Sequence, residues 1–203
     1  MFRGQTAIPY ESHLERDFFV RKEFSVLVSE VIPQPVQIPF TASNGQTFTY
    51  TPDFLVHYRL SDYPVGQGPQ PVLVEVKPEE EWRKNWRSWL PKWKAAYRYA
   101  RDEGMVFHIF DETRIRDQAL DNIRFLQRYK RMHFPPEESR CVLETVTAMG
   151  MATLDDILAR HFLGIYRAEG IAHVWHLLAT RQLECDITRP FTPFTEFWVP
   201  NHE

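Results

Sequence analysis

The sequence predicts a mixed α/β domain followed by a smaller α+β domain. Three observations carry that expectation. Apolar, strand-like runs at residues 72–77 and 105–110 alternate with long helical stretches at 79–103 and 113–131. Asn44-Gly45 lies between two β-prone runs and marks a tight hairpin. Pro135-Pro136 then opens a tail with three helical segments and two short β-prone runs.

The elements follow in order. Residues 10–23 read as a helix with Leu14 and Phe18 on its apolar face. Residues 26–40 are β-prone but broken by Pro33, Pro35 and Pro39, as an edge strand or extended arm would be. The hairpin strands fall at 36–42 and 46–51, and 54–60 is a further strand. Residues 61–71 form a Pro/Gly-rich loop. The strand at 72–77 is apolar except at its end. The helix at 79–103 is expected to be interrupted near Pro91. After the strand at 105–110, a basic helix or helix pair spans 113–131. Helices at about 137–149, 153–162 and 166–181 follow, and Thr153 with Asp156 resembles a capping box. Strands at Leu183–Ile187 and Phe197–Val199 complete a winged-helix-like outline. The expected domains are residues 1–134 and 135–203.

Composition narrows the function. The 203 residues are 43% hydrophobic with a net charge of −3, as suits a globular chain. The apolar runs are too short for a membrane span, and the first residues show no secretory signal. Cys141 and Cys185 form neither a disulfide framework nor a zinc pattern. Charge is split: residues 82–131 hold 13 Lys and Arg against 6 Asp and Glu, whereas residues 135–203 hold 5 against 10. The basic sector can attract phosphate. The acidic tail suits a protein partner better than DNA.

Three segments carry chemistry: Ser12-His-Leu-Glu15, Thr51-Pro-Asp53 and Leu73-Val-Glu75-Val-Lys77. Asp53 and Glu75 are 22 residues apart, enough for neighbouring strands. Glu75 and Lys77 share one strand face, while Val76 points to the other. Charges in an apolar strand are costly unless paired or liganded. Two carboxylates, a lysine and the approaching Glu15 suit metal-assisted phosphodiester hydrolysis, with Mg²⁺ or Mn²⁺ on oxygen ligands. The backbone carbonyl of Val76 is a further candidate ligand. Lys77 could orient or deprotonate the attacking water, or stabilise developing charge. Taken singly, Asp53 could cap a turn, and Glu75 and Lys77 could be a solvated strand end.

Other features are weaker. Trp82, Trp86, Trp89 and Trp93 form a helical stripe with Arg83, Lys84, Arg87, Lys92 and Lys94 between them. Those bases, with Arg114 and Arg116, are candidate DNA-backbone contacts. A stripe packed on the sheet, with solvated bases, is the plainer alternative. His173 and His176 read as structural, and His13 points away from Glu15 on its helix.

Asp53, Glu75 and Lys77 in the Pro-Asp…Glu-x-Lys form resemble the PD-(D/E)xK nuclease superfamily, with its restriction-endonuclease-like mixed sheet flanked by helices. "SHLERDFF", "PQPVQIPF", "YTPDFLV" and "LVEVKP" occur in the order of the TnsA family, and "TRIRDQALDNIRFLQRYKR" is similar to the end of its nuclease domain. The resemblance covers about residues 10–131. It implies that Glu15, Asp53 and Glu75 are metal-site acids and Lys77 the catalytic lysine, with two ions. It implies cleavage of the 5′ strand at double-stranded transposon ends, beside a DDE-type transposase subunit and an AAA+ ATPase regulator. It also implies a bacterial cytoplasmic, nucleoid-associated protein with no membrane partner. A stand-alone restriction or repair nuclease, and a non-catalytic module that only binds DNA or partners, stay open as alternatives.

Overall fold

The computed structural model describes residues 10–60, 63, 64 and 67–200. The reading of the first four residues, and part of the 61–71 loop, lie outside that range. The chain forms two compact units, Met1–Arg116 and Asp117–Glu203.

The first unit runs α1 (His13–Phe24), β1 (Val28–Pro33), β2 (Ile38–Thr41), β3 (Thr47–Tyr50), β4 (Phe54–Tyr58), β5 (Val72–Val76), α2 (Glu79–Asp102), β6 (Val106–Phe110) and α3 (Glu112–Ile115). Four strands form one mixed sheet in the order β1-β4-β5-β6. β4 is antiparallel to both β1 and β5, while β5 and β6 are parallel and joined by α2. β2 and β3 form a separate hairpin around Asn44-Gly45, with Gly45 at φ +83° as such a turn requires.

All five residues of β5 are buried, because the strand is central and both its faces are covered. On one face Phe18 of α1 stacks on Phe54, paired with Val74, and also meets Phe110, paired with Val76. On the other, Leu73 clusters with Ala95, Ala96 and Ala100 of α2 and with Ile38 and Tyr50 of the hairpin. Alternation therefore sends Glu75 and Lys77 to the α2 side, with Leu73.

α2 is continuous through Pro91, contrary to the expected interruption. Proline removes one backbone bond from the helix. Burial of Trp93, Ala95, Ala96 and Ala100 holds the turns that follow it. Arg16 and Arg116 answer the buried Asp17, and Arg116 thereby ties the end of α3 to α1.

The second unit contains α4 (Gln118–Leu126), α5 (Pro136–Met149), β7 (Ala152–Thr153), α6 (Leu154–His161), a 3-10 turn at Gly164–Tyr166, α7 (Arg167–Ala179) and β8 (Glu196–Phe197). β7 and β8 pair antiparallel, and Glu184 and Trp198 exchange both backbone bonds. Thr153 and Asp156 make a full capping box on α6.

The units divide 18 residues before the boundary expected at 134/135. The basic helix or helix pair expected over 113–131 is a pair, α3 and α4. Asp117 caps α4 by accepting from the Leu120 N–H. Leu120, Ile123 and Leu126 are buried as α4 packs on α7. The Asn122 amide donates to the carbonyls of Ile187 and Arg189. The strand expected at Leu183–Ile187 shrinks to one bridge at Glu184. Asp186 turns the chain there by accepting from the backbone N–H of Thr188. His173 is buried against Phe134, and its Nε2 meets the Ser139 hydroxyl at 2.8 Å, which is a packing role.

Candidate active site

The sheet end at Asp53, Glu75 and Lys77 is built by register. Phe54 pairs with Val74, so Asp53, one residue before β4, comes opposite Glu75. Asp53 Oδ2 accepts the Val76 N–H at 2.6 Å, which pins its side chain to the end of β5. The Lys77 ammonium lies 3.8 Å from Asp53 Oδ2 and 4.0 Å from Glu75 Oε1. The structure thus brings these three together, on the α2 face of the sheet.

Glu75 is 1% exposed, so its charge depends on its partners. The Tyr50 hydroxyl donates to Oε2 at 2.5 Å, and the Lys92 ammonium donates to Oε1 at 2.9 Å. Lys92 also lies over the rings of Tyr50 and Trp89, 4.8 Å from each centroid. Sequence reasoning missed Tyr50 here and counted Lys92 only as a DNA contact. Their signals were faint: an aromatic at a strand end, and one base among five on a helix.

Glu15 occupies a different place. It is buried near the start of α1, on the helix that covers the opposite sheet face. Its carboxylate accepts the Glu11 N–H and the Ser12 hydroxyl, both at 2.9 Å, while Ser12 accepts the Glu15 N–H. This reciprocal cap is a structural reason for an acid at that position. Its charge still acts on Asp53 and Lys77, pushing the pKa of each upward.

The other candidate cations have separate engagements. Arg83 pairs with Glu79, Arg87 stacks on Trp86, Arg114 donates to the Ile109 carbonyl, and Arg116 engages Asp17. Lys84 is exposed on α2, and Lys94 lines an open cleft beside the hairpin. Of the tryptophan stripe, Trp93 is buried with Trp89 edge-on to it, Trp86 is exposed, and Trp82 donates to Asp111.

Burial dominates the electrostatics of Asp53. Burial first, and then repulsion from Glu75, raise Asp53 to about 7, against the opposing pull of Lys77 and of the Val76 N–H. Burial alone would depress Lys77. The carboxylates of Asp53, Glu75, Glu15 and Glu81 outweigh that and raise it, so the ammonium is charged at neutral pH. Burial and Glu75 also push the Tyr50 hydroxyl upward, which keeps it a donor.

The donor set fits a hard divalent cation: burial, with Glu75 and Glu15 adding to it, raises Asp53, and a cation would favour its carboxylate form. Among the described residues no three Asp, Glu, His or Cys side chains converge closely enough to hold an ion. Each carboxylate oxygen has a second lone pair, so the bonds already made leave Asp53 and Glu75 able to coordinate.

Two family models match the chain. Residues 27–112 match the model for the TnsA-like endonuclease N-terminal domain, and residues 114–187 match that for the TnsA endonuclease C-terminal domain. Asp53, Glu75, Lys77, Tyr50 and Lys92 lie within the first match, and Glu15 precedes it. No curated protein matches the chain. The mixed four-stranded sheet with helices on both faces suits a restriction-endonuclease-like fold. Nucleases of this kind generally depend on a divalent metal, and this family acts on DNA beside transposase partners. By both of its matched regions, the chain belongs to the TnsA family of transposase-associated endonucleases.

Proposed function

We propose that the chain hydrolyses one strand, the 5′ strand, at each end of a transposon during cut-and-paste transposition. Asp53, Glu75 and Lys77 are its chemical groups, with Glu15 as a supporting acid. The observation that carries this reading is a carboxylate kept on a wholly buried strand, facing a second carboxylate and two lysines. A stability-driven sheet would hold an aliphatic side chain there.

Asp53, Glu75 and the Val76 carbonyl would hold Mg²⁺ or Mn²⁺, two ions in the full site, with Glu15 contributing field or coordination. When bound, the metal supplies charge neutralisation at the phosphate and a more acidic water. Lys77, kept charged by the surrounding acids, stabilises the negative charge that develops on the phosphate oxygens. Its raised pKa favours that role over deprotonating water. Tyr50 and Lys92 orient Glu75.

The partners would be a DDE-type transposase subunit, which processes the other strand, and an AAA+ ATPase regulator. The second unit, winged-helix-like and rich in acids, suits protein contact. The test is strand mapping on a plasmid that carries both ends, with the chain and its transposase added. Nicks confined to 5′ strands at the ends are expected. Cutting of unrelated DNA by the isolated chain would support a stand-alone nuclease instead.

Acidity gives a second expected result. Asp53 is raised above its ordinary 3.8 to about 7, so between those values the folded chain holds a proton that the unfolded chain has released. Its contribution to stability therefore falls as pH rises through that window. A metal must displace the same proton. The Mn²⁺ concentration for half-maximal nicking should rise about tenfold per pH unit below 7 and level off above it. A flat dependence between pH 5.5 and 7 would mean that metal binding displaces no proton from Asp53.

A further inference from the structure

Glu75 meets two lysines, and they are not equivalent. Lys77 follows it on the same strand face and stands 4.0 Å from Oε1, at the outer limit of an ion pair. Lys92 comes from α2 and donates to the same Oε1 at 2.9 Å, while the Tyr50 hydroxyl donates to Oε2 at 2.5 Å. Both oxygens of the carboxylate are thus held by protein donors. Glu75 is 1% exposed, so those donors stand in for the water that a surface carboxylate would have.

The Lys92 ammonium is itself seated. It lies 4.8 Å from the ring centroids of both Tyr50 and Trp89, so two aromatic faces and one carboxylate oxygen surround it. Among the described residues, Glu75 is the only carboxylate that pairs with it. The backbone beside it lacks one bond. Pro91 has no N–H, so the Arg87 carbonyl, four residues earlier, receives none from it. α2 is continuous there, yet the turn that carries Lys92 has one backbone tie fewer than its neighbours.

This is a cation site already filled by a side chain. A divalent ion that coordinates Glu75 shares a water-excluded carboxylate with the ammonium. A lone pair on Oε1 stays open to the ion, but like charges on one buried oxygen repel, with little water to screen them. Lys92 is the cation on a flexible stem, and its aromatic seat does not depend on Oε1.

We propose that Lys92 is the resident counter-ion of Glu75 and a brake on metal loading, giving up Oε1 only to a divalent cation that outcompetes it. One cation replaces another at Glu75, so the buried carboxylate is never left bare. This rests on the nuclease reading above and adds to it a residue that sets metal affinity. Lys77, whose role there is toward the phosphate, lacks the direct bond to Oε1.

The experiment measures Mn²⁺ binding to the full chain by electron paramagnetic resonance of the free ion, at one fixed pH and without DNA. Lys92→Met should bind Mn²⁺ at least about tenfold more tightly than the parent, the lower end of what close charge pairs contribute. Lys92→Arg, which keeps a charge beside Oε1, should bind as weakly as the parent. Lys77→Met removes a charge near both Asp53 and Glu75 but leaves the Lys92 bond, so it should tighten binding less. Equal gains in the two methionine variants would assign the effect to the general field of the lysines and overturn the proposal. A Lys92→Met affinity no tighter than the parent's overturns it as well.

A second measurement does not depend on how the variant folds. In the parent carrying isotopically labelled lysine, the Lys92 ammonium resonance is identified by its loss in Lys92→Arg. It should be protected from exchange in EDTA and lose that protection on saturation with Mg²⁺. A resonance that Mg²⁺ leaves unchanged overturns the proposal. Nicking with the transposase present is measured separately at saturating Mn²⁺. Expected affinities without nicking would refute the nuclease reading and leave the brake standing, and normal nicking with equal affinities would do the reverse.

Discussion

Replacing Asp53, Glu75 or Lys77 by alanine abolishes nicking, by at least about a thousandfold in each case. Asp53 and Glu75 face each other across β4 and β5, and Lys77 lies within 4.0 Å of both carboxylates. On the proposed reading, removing either acid takes away a metal ligand, and removing the lysine takes away the charge that meets the developing anion. These groups act as a unit, so the double variants should be hardly worse than the single ones. The isosteric Glu75→Gln is the most informative member of the series. Its amide oxygen can still accept from Lys92 or Tyr50, so the fold should hold while the anionic ligand is lost. Assembly with the transposase should survive every substitution. Full cleavage by Asp53→Ala, Glu75→Ala or Lys77→Ala, measured as single-turnover nicking with saturating Mn²⁺, would sink the assignment. Undiminished cleavage by all three, together with unchanged metal binding, would mean that another component makes the cut and that this chain is a non-catalytic module.

Lys92→Met lowers the stability of the metal-free chain by about 3 kcal/mol, the lower end of the cost of leaving a buried charge without its partner. Glu75 is 1% exposed, and Lys92 is the ammonium closest to it at 2.9 Å, against 4.0 Å for Lys77. Methionine keeps the apolar stem against Tyr50 and Trp89 and removes only the charge. In EDTA the melting temperature should fall by about 10 °C, on the scale of a domain of this size. A divalent cation at Glu75 would supply the missing charge, so added Mn²⁺ should raise the melting temperature of the variant more than that of the parent. Equal melting of variant and parent in EDTA would mean that the Lys92–Glu75 pair contributes nothing to stability.

Much of this protein is legible in the order of its residues. The two-residue side-chain period put Glu75 and Lys77 on one face and Val76 on the other. Asn44-Gly45 marked the hairpin, and the apolar run at 72–76 marked the strand that both sheet faces cover. The Pro-Asp…Glu-x-Lys spacing pointed to the family that both matched regions then supplied. These signals are local: alternation, turn chemistry and composition act over a few residues, and a single sequence displays them directly.

Other features depended on how the elements pack. Lys92 is 17 residues from Glu75 and Tyr50 is 25 residues from it, and no local pattern states that one helix face and one strand end meet there. Glu15 rested on resemblance more than on strand geometry, because only packing fixes where its helix docks; α1 packs on the opposite sheet face, and the Glu15 carboxylate caps it while its charge acts on Asp53 and Lys77. Pro91 reads as a break until Trp93, Ala95 and Ala96 are seen buried beyond it. Pro135-Pro136 reads as a domain boundary until α4 is seen packed on α7. By itself the sequence determined the central strands of the sheet, the hairpin, the family resemblance and the pairing of Asp53 with Glu75 and Lys77. Only the tertiary structure decided which second lysine guards the buried acid and where Glu15 lies. The physical reason is that burial of apolar faces, a long-range and cooperative effect, chooses how helices dock, and the charged side chains follow the faces that carry them.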